Sequence, residues 1–148
     1  MEELKYNELL EEIIQKLQSA KEIILATSAD NKVTARMMCP LNDGLTIMFG
    51  TNKNSTKIKQ IKQNPNIALA IENLKIEAIA EIFGSPKGNT FFNNEYPKKY
   101  PHLGDIYPEN PDDTLIIAKP VKISLFKYIG KPCEDILEIK ENKAYRLI

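Results

Sequence analysis

The stretch that decides the fold of this chain covers residues 23–71 and contains the segment Thr51-Asn52-Lys53-Asn54-Ser55-Thr56-Lys57. Two strand-like runs precede this segment, and a short helix begins within it. The first amide groups of a helix have no partner inside the helix, so hydroxyl and ammonium groups placed there favour an anion. Arg36, in the strand-like run upstream, adds a second cation. The stretch therefore predicts strands that surround a site for a phosphorylated ligand.

The rest of the chain predicts a mainly β fold with a few flanking helices. Successive strands joined by short turns should be antiparallel, and about six such strands close most readily into a small barrel. We therefore expect one domain over residues 1–148, built on a six-stranded antiparallel split β-barrel. Its predicted parts are an N-terminal helix (1–20), the main strands with a short helix at 55–64 (23–83), an irregular aromatic-rich region (84–113), and closing strands (114–118 and 121–128) with a bend at Lys119-Pro120 and a tail to 148.

The run over residues 33–40 alternates in polarity, as a strand with two different faces does. Arg36 lies on the face that includes Thr34 and Met38, and Met37 lies on the opposite face. The turn signal at residues 42–44, Asn-Asp-Gly, predicts a hairpin that pairs strand 33–40 with strand 45–50. Such a pairing would bring Arg36 close to Thr51.

Composition narrows the classes of function. The chain has 148 residues, a net charge of zero and 43% hydrophobic residues, which excludes a disordered chain. Residues 31–71 carry six bases and only one acid, and this local positive field favours a small anion over a nucleic acid. We expect no membrane span, no metal site and no disulfide from Cys39 and Cys133. The acidic, polar N-terminus predicts a cytoplasmic protein.

Four pieces of the sequence, in this order, resemble the FMN-binding split-barrel superfamily, which includes the pyridoxamine 5′-phosphate oxidases and the general stress protein 26 group. The resemblance is strongest over residues 23–83 and extends more loosely to residues 114–123. The pieces that carry it are Ile24-Leu25-Ala26-Thr27, Ala35-Arg36-Met37-Met38, Phe49-Gly50-Thr51-Asn52-Lys53-Asn54-Ser55-Thr56-Lys57 and Gln63-Asn64-Pro65.

The resemblance implies a homodimer with FMN at the subunit interface, acting as a small flavin-dependent oxidoreductase on a small-molecule substrate or electron donor. Arg36 and Lys57 match positions that bind the FMN phosphate, with Ser55 and Thr51 in the same loop. The residues with weaker or backbone matches are Met37 and Met38 along the flavin ring, Gly50 beside Thr51, and Lys75 near the ring or phosphate. The resemblance identifies no catalytic acid or base.

Two positions depart from the oxidase pattern. Leu41 stands where pyridoxamine 5′-phosphate oxidases carry a lysine, and Thr56 stands where they often carry an arginine. The C-terminus also lacks their arginine-rich substrate segment. The chain is therefore not expected to be a true pyridoxamine 5′-phosphate oxidase. The alternative hypothesis is a non-catalytic binder or stress sensor that uses the same barrel for haem or another flavin-like ligand.

Other residue types support no separate chemistry. His102 is the only histidine and lies in a predicted loop without an identified partner. Cys39 is predicted to pack in the core. A third hypothesis, a nucleic-acid-binding barrel, rests on the lysines of residues 53–62 and lacks a stacking platform. The aromatic residues of the 84–113 region either line a flavin or substrate pocket or pack beneath a long loop; they are Phe91, Phe92, Tyr96, Tyr100 and Tyr107.

Overall fold

A computed structural model describes residues 1–102 and 110–148 of the chain. The chain forms three α-helices, a short 3₁₀ helix and ten strands within these residues. All strand pairs are antiparallel. The elements are β1 (Glu2–Glu3), α1 (Tyr6–Ser19), β2 (Ile23–Ala29), β3 (Lys32–Met38), β4 (Leu41–Asp43), β5 (Thr46–Asn52), α2 (Thr56–Gln63), β6 (Asn66–Ile71), β7 (Leu74–Gly84), the 3₁₀ turn (Pro86–Gly88), α3 (Thr90–Lys99), β8 (Asp113–Tyr128), β9 (Pro132–Glu138) and β10 (Lys143–Leu147).

The sheet is an open, curved barrel wall with the strand order β1-β10-β9-β8-β7-β6-β2-β3. Strand β5 lies off this path and pairs with β4 and with the first part of β8. The prediction of a mainly β, antiparallel split barrel is confirmed. The described residues contain more strands than the six expected, because the N-terminal residues, Leu41–Asp43 and the tail add short strands to the sheet.

The split in the wall is produced by β8, which is one strand of 16 residues. Its first part, Asp113 to Ala118, pairs with β5, and its last part, Lys122 to Tyr128, pairs with β9. The change of partner occurs around Pro120, where the register with β7 also shifts. Proline lacks an amide hydrogen, so it is tolerated where a ladder is interrupted. The predicted break between two strands at Lys119-Pro120 is therefore wrong: the chain continues as one strand with a bulge.

The main core lies between the inner face of the sheet and two helices. Helix α1 contributes Leu9, Ile13 and Leu17, which recur at helical spacing and are all buried. Helix α2 contributes Ile58 and Ile61 and packs against β2 and β7. This packing places α2 against the part of the β2–β3 hairpin that lies nearer its turn, where Gln60 reaches Thr27 and Thr34.

A second, smaller core lies under the region expected to be irregular. Residues 90–99 form helix α3 instead of a loop, because the side chain of Asn89 caps the helix by accepting from Phe92 N at 2.8 Å. Phe92, Tyr96 and Tyr100 are buried against β4 and β5, so they pack as core. Tyr107, also considered as a pocket residue, lies outside the described residues.

Candidate functional site

The candidate site begins at the start of helix α2. Ser55 is the N-cap residue, yet its side chain makes no capping hydrogen bond. Its hydroxyl oxygen is buried and has no partner among the described residues. The first-turn amide groups of α2 therefore also lack a side-chain cap. The buried hydroxyl and the uncapped amide groups can each donate a hydrogen bond to an anion.

Lys57 lies in the first turn of α2 and points toward the end of β5. Its ammonium group donates to the hydroxyl of Thr51 at 2.7 Å. Burial lowers the pKa of Lys57, and the nearby positive charge of Arg36 lowers it further. The two cations therefore lie close enough to repel each other, and an anion between them would relieve the repulsion.

Arg36 lies on the inner face of β3, half-buried beside the core. Its guanidinium donates to the Thr27 hydroxyl at 2.8 Å, to the Thr34 hydroxyl at 2.5 Å and to the Leu25 carbonyl at 3.2 Å. Burial lowers the pKa of Arg36. All three partners are neutral, so they orient the guanidinium and leave its positive charge uncompensated.

Gln60 completes this network from α2. Its side-chain carbonyl accepts from the Thr27 hydroxyl at 2.5 Å and from the Thr34 hydroxyl at 2.7 Å. Gln60 is buried and lies one helical turn after Lys57. Helix α2 therefore supplies one cation, Lys57. It is also linked to the other cation, Arg36, through the two threonine hydroxyls that Gln60 contacts.

Neither Arg36 nor Lys57 forms an ion pair within residues 1–102 and 110–148. Lys53, in the loop before α2, differs, because its ammonium group lies 3.7 Å from the carboxylate of Asp112. Half-buried cations without a counterion are costly, and they are typical of sites that bind an anion. The arrangement fits a phosphate group.

The structure brings Arg36 toward Lys57 by a different route from the one predicted. Strand β3 pairs with β2 and not with β5, because β4 forms a short hairpin with β5 across a turn at Gly44 and Leu45. The predicted pairing of strand 33–40 with strand 45–50 is therefore wrong. Arg36 approaches the helix start because α2 packs on the β2–β3 hairpin and Gln60 binds its two threonine partners.

The other predicted site residues are distributed over the barrel. Gly50 lies in β5 next to Thr51 and pairs with Leu115. Met38 is half-buried against the main core on the Arg36 face. Met37 is 53% exposed on the opposite, outer face.

Lys75 also lies on the outer face, two strands beyond Ile24, the residue that pairs with Met37. There its ammonium group lies 3.3 Å from the Glu134 carboxylate. The structure therefore groups Arg36, Thr51, Ser55 and Lys57, and it does not bring Lys75 to them within one chain.

Three residues of the site were missed by the sequence reasoning: Thr27, Thr34 and Gln60. The signal for the threonines was present in the two-residue turn Asp30-Asn31, whose positive φ angles of 53° and 63° set the hairpin register. That register places Thr27 opposite Thr34 and Leu25 opposite Arg36. The contacts of Gln60 could not be predicted from local sequence, because they form only when α2 packs against the β2–β3 hairpin.

No second candidate site is formed by the metal-ligating groups, the helices, the single histidine or the two cysteines of the described residues. They contain no cluster of three or more metal-ligating side chains, and none of their helices is long and apolar enough to cross a membrane. His102 is exposed at the end of the described part of the α3 region. Cys39 is half-buried beside the smaller core, and Cys133 is buried.

Solved structures with this architecture are similar to the chain over most of its length. General stress protein 26 from Bacillus anthracis is 23% identical, with 88% of this chain and 98% of that chain covered and a TM-score of 0.68. A protein from Clostridium acetobutylicum related to general stress protein 26, of the pyridoxinephosphate oxidase family, is 19% identical, with 94% and 99% covered and a TM-score of 0.69.

A haem protein is among the similar structures as well. HutZ, the haem storage protein from Vibrio cholerae, is 14% identical, with 74% of this chain and 88% of that chain covered and a TM-score of 0.63. No protein-family model matches the sequence, and no curated protein matches it. The structural neighbours include a putative pyridoxamine 5′-phosphate oxidase, general stress protein 26 and an F420 reductase, so the chain has the split-barrel fold.

Proposed function

We propose that the chain binds FMN and acts as a small flavin-dependent oxidoreductase of unassigned substrate. The observation that carries the proposal is the pair of half-buried cations, Arg36 and Lys57, which lack a carboxylate partner in the described part of the chain. The buried, unpartnered hydroxyl of Ser55 supports it. The likeness to flavin-associated split barrels adds support for flavin among the phosphorylated ligands.

The FMN phosphate would be held by Arg36, Lys57, Ser55 and Thr51. Arginine offers planar paired donors, lysine adds a point charge, and the two hydroxyls complete a set of donors for phosphate oxygens. The resemblance to the superfamily implies that the backbone of Met37 and Met38 lies along the flavin ring. When bound, the flavin supplies hydride or electron transfer, and the protein supplies binding and orientation.

The proposal includes a second copy of the chain on the outer face of the sheet. Val33 and Met37 of β3 and Ile24 of β2 are 73%, 53% and 44% exposed on this face. A groove of about 410 Å³ lies next to them between Ala68, Lys75 and other residues of the same wall. Contiguous exposed apolar residues mark an interaction surface, and a homodimer would cover them.

The first test is the absorbance spectrum of freshly purified protein, together with mass spectrometry of any ligand released on denaturation. Flavin absorbance and released FMN would support the proposal. Apoprotein that fails to bind added FMN at micromolar concentration would overturn it. Light scattering on the same sample measures the mass, and a monomer would overturn the dimer.

A variant series then separates a specific site from a basic surface. Arg36→Ala and Lys57→Ala should each weaken FMN binding about tenfold or more, since each removes a charge-assisted hydrogen bond. Lys59→Ala and Lys62→Ala are matched controls, because both lysines are exposed on the same helix. Equal losses in all four variants would indicate a diffuse basic surface.

The second candidate function is haem binding or ligand sensing without turnover, and the similarity to HutZ favours it. The same spectrum distinguishes the two candidates, because haem and flavin have different absorption bands. A reductase assay with a nicotinamide donor separates an enzyme from a sensor. Bound flavin that never turns over would favour the sensor.

A further inference from the structure

We propose that Gln60 is a positioning residue that orients the Arg36 guanidinium through Thr27 and Thr34 without neutralising its charge. The inference rests on the proposed function, since it concerns the residues that prepare the phosphate site. It starts from an unusual feature of Gln60: this amide is buried, while the other glutamine of helix α2, Gln63, is exposed.

The hydrogen-bond directions give Gln60 its role. A threonine hydroxyl has one hydrogen to donate and two lone pairs that accept. Both hydroxyls donate to the Gln60 carbonyl, at 2.5 Å from Thr27 and 2.7 Å from Thr34. Their oxygens then face the guanidinium as acceptors, and Arg36 donates one bond to each. One buried carbonyl therefore fixes the direction of two hydroxyls and, through them, of Arg36.

The neutrality of Gln60 matters as much as its geometry. A glutamate at this position would offer the same accepting atom with a full negative charge. That charge would attract Arg36 and reduce the positive potential available to a phosphate. The amide accepts the same hydrogen bonds and leaves both cations of the site uncompensated.

Helix α2 links the two cations through this contact. Lys57 and Gln60 are three residues apart and therefore share one face of the helix. Lys57 reaches Thr51 on β5, while Gln60 reaches the β2–β3 hairpin. The helix thus sets the spacing between an ammonium group from its first turn and a guanidinium from the sheet.

The test compares Gln60→Ala and Gln60→Glu with the control Gln63→Glu, which changes the same residue type on the exposed side of the same helix. Two readouts are used: the side-chain NMR signals of the Arg36 guanidinium in the full chain without ligand, and titration with inorganic phosphate and with FMN. Circular dichroism confirms that each variant is folded.

The inference predicts a different result for each variant. Gln60→Ala should broaden or remove the discrete Arg36 signals and weaken binding of both probes about tenfold. Gln60→Glu should keep the Arg36 signals, because its carboxylate still accepts from the threonines, yet weaken binding at least as much and reduce its salt dependence. Gln63→Glu should change binding less than about twofold.

The outcomes also separate this inference from the proposed function. Gln60→Ala with unchanged Arg36 signals, or Gln60→Glu with wild-type affinity, would overturn the positioning role even if FMN binds. Wild-type protein that binds neither probe, but whose Arg36 signals still depend on Gln60, would refute the FMN proposal and support the positioning role.

Discussion

Half-buried cations have opposite surroundings in two regions of this molecule. In the α2 site, formed by Arg36, Thr51, Ser55 and Lys57, Arg36 contacts hydroxyl and carbonyl oxygens, and burial lowers its pKa. In the Asp135 clasp, formed by Asp135, Arg146, Lys127 and Glu12, two cations share one buried carboxylate. The hydrogen bond to Asp135 raises the pKa of Arg146.

The clasp joins helix α1 to the last strands of the sheet. Arg146 donates to both oxygens of Asp135 at 2.7 and 3.1 Å, and Lys127 lies 2.8 Å from the same carboxylate and 2.9 Å from Glu12. Its charges are balanced within the fold. The α2 site lacks such balance within the described residues, and under our proposal a bound phosphate would supply the missing negative charge. The difference distinguishes a structural cluster from a candidate binding site.

The largest expected effect is loss of the clasp. Asp135→Asn should lower the free energy of unfolding by about 3 kcal/mol, because it leaves two cations around a neutral buried amide. Urea unfolding monitored by circular dichroism measures the change. FMN affinity of the folded variant should remain within about twofold of wild type, since the clasp does not touch the α2 site. A loss of stability below about 1 kcal/mol would show that the clasp is not a structural requirement.

Acid should reduce the stabilisation that the clasp gives to the folded chain. Burial by itself would raise the pKa of Asp135, but hydrogen bonds from Arg146 and Lys127 outweigh it and lower the pKa below its ordinary value of 3.8. A lowered folded-state pKa means that this stabilisation is present above the unfolded-state pKa and is lost as pH falls through the folded-state value. Below about pH 4, the urea midpoint of wild type should therefore fall toward that of Asp135→Asn. A constant difference between the two proteins across that range would contradict the expectation.

The sequence predicts the elements that local residues determine, and it does not predict the contacts between distant residues. Helix α1, the β2–β3 turn and α2 are confirmed, because local periodicity and turn residues determine them. The route of β8 past Pro120 was not predictable, since strand partners depend on distant residues. The network of Gln60 and the clasp of Asp135 depend on tertiary packing as well, because each joins residues more than ten positions apart.

The next effect concerns ligand binding to the α2 site. Inorganic phosphate should raise the unfolding temperature of wild type, because a ligand that binds only the folded chain stabilises it, by about 1.4 kcal/mol at roughly ten times its dissociation constant. Arg36→Met should abolish most of this shift. The Asp135→Asn variant serves as the control and should retain the shift from a lower starting temperature. A shift that persists in Arg36→Met would place phosphate elsewhere.

A smaller effect is expected for Arg36→Met without ligand. This substitution removes a half-buried charge that has no carboxylate partner in the described residues, and methionine can fill part of the space. The free energy of unfolding should be unchanged or raised by up to about 1 kcal/mol, a trade of function for stability. Thermal and urea unfolding without phosphate measure it. A loss of 2 kcal/mol or more, roughly the size expected at the clasp, would mean that Arg36 is mainly structural.

The smallest effect tests a third region, where two lysines flank one aromatic ring. The ammonium groups of Lys99 and Lys21 each lie 5.6 Å from the ring centroid of Tyr100, which offers cation–π contact without a negative charge. Burial, and then the charge of Lys21, lower the pKa of Lys99 to about 8, although Cys39 acts in the opposite direction. At pH 8 the neutral amine fraction of Lys99 should therefore be about 100-fold above that of an ordinary lysine.

Competitive acetylation followed by mass spectrometry across a pH series measures this fraction at each lysine. Lys98 is the matched control, because it is the neighbouring residue and its ammonium group lies 3.4 Å from the Glu95 carboxylate. Lys21→Met should shift the labelling midpoint of Lys99 upward by less than about one pH unit, since burial is the larger cause. An unchanged midpoint would assign the lowered pKa to burial without a contribution from Lys21. A downward shift would contradict a repulsive effect of Lys21, and this region would then differ from the α2 site, where the charge of Arg36 lowers the pKa of Lys57.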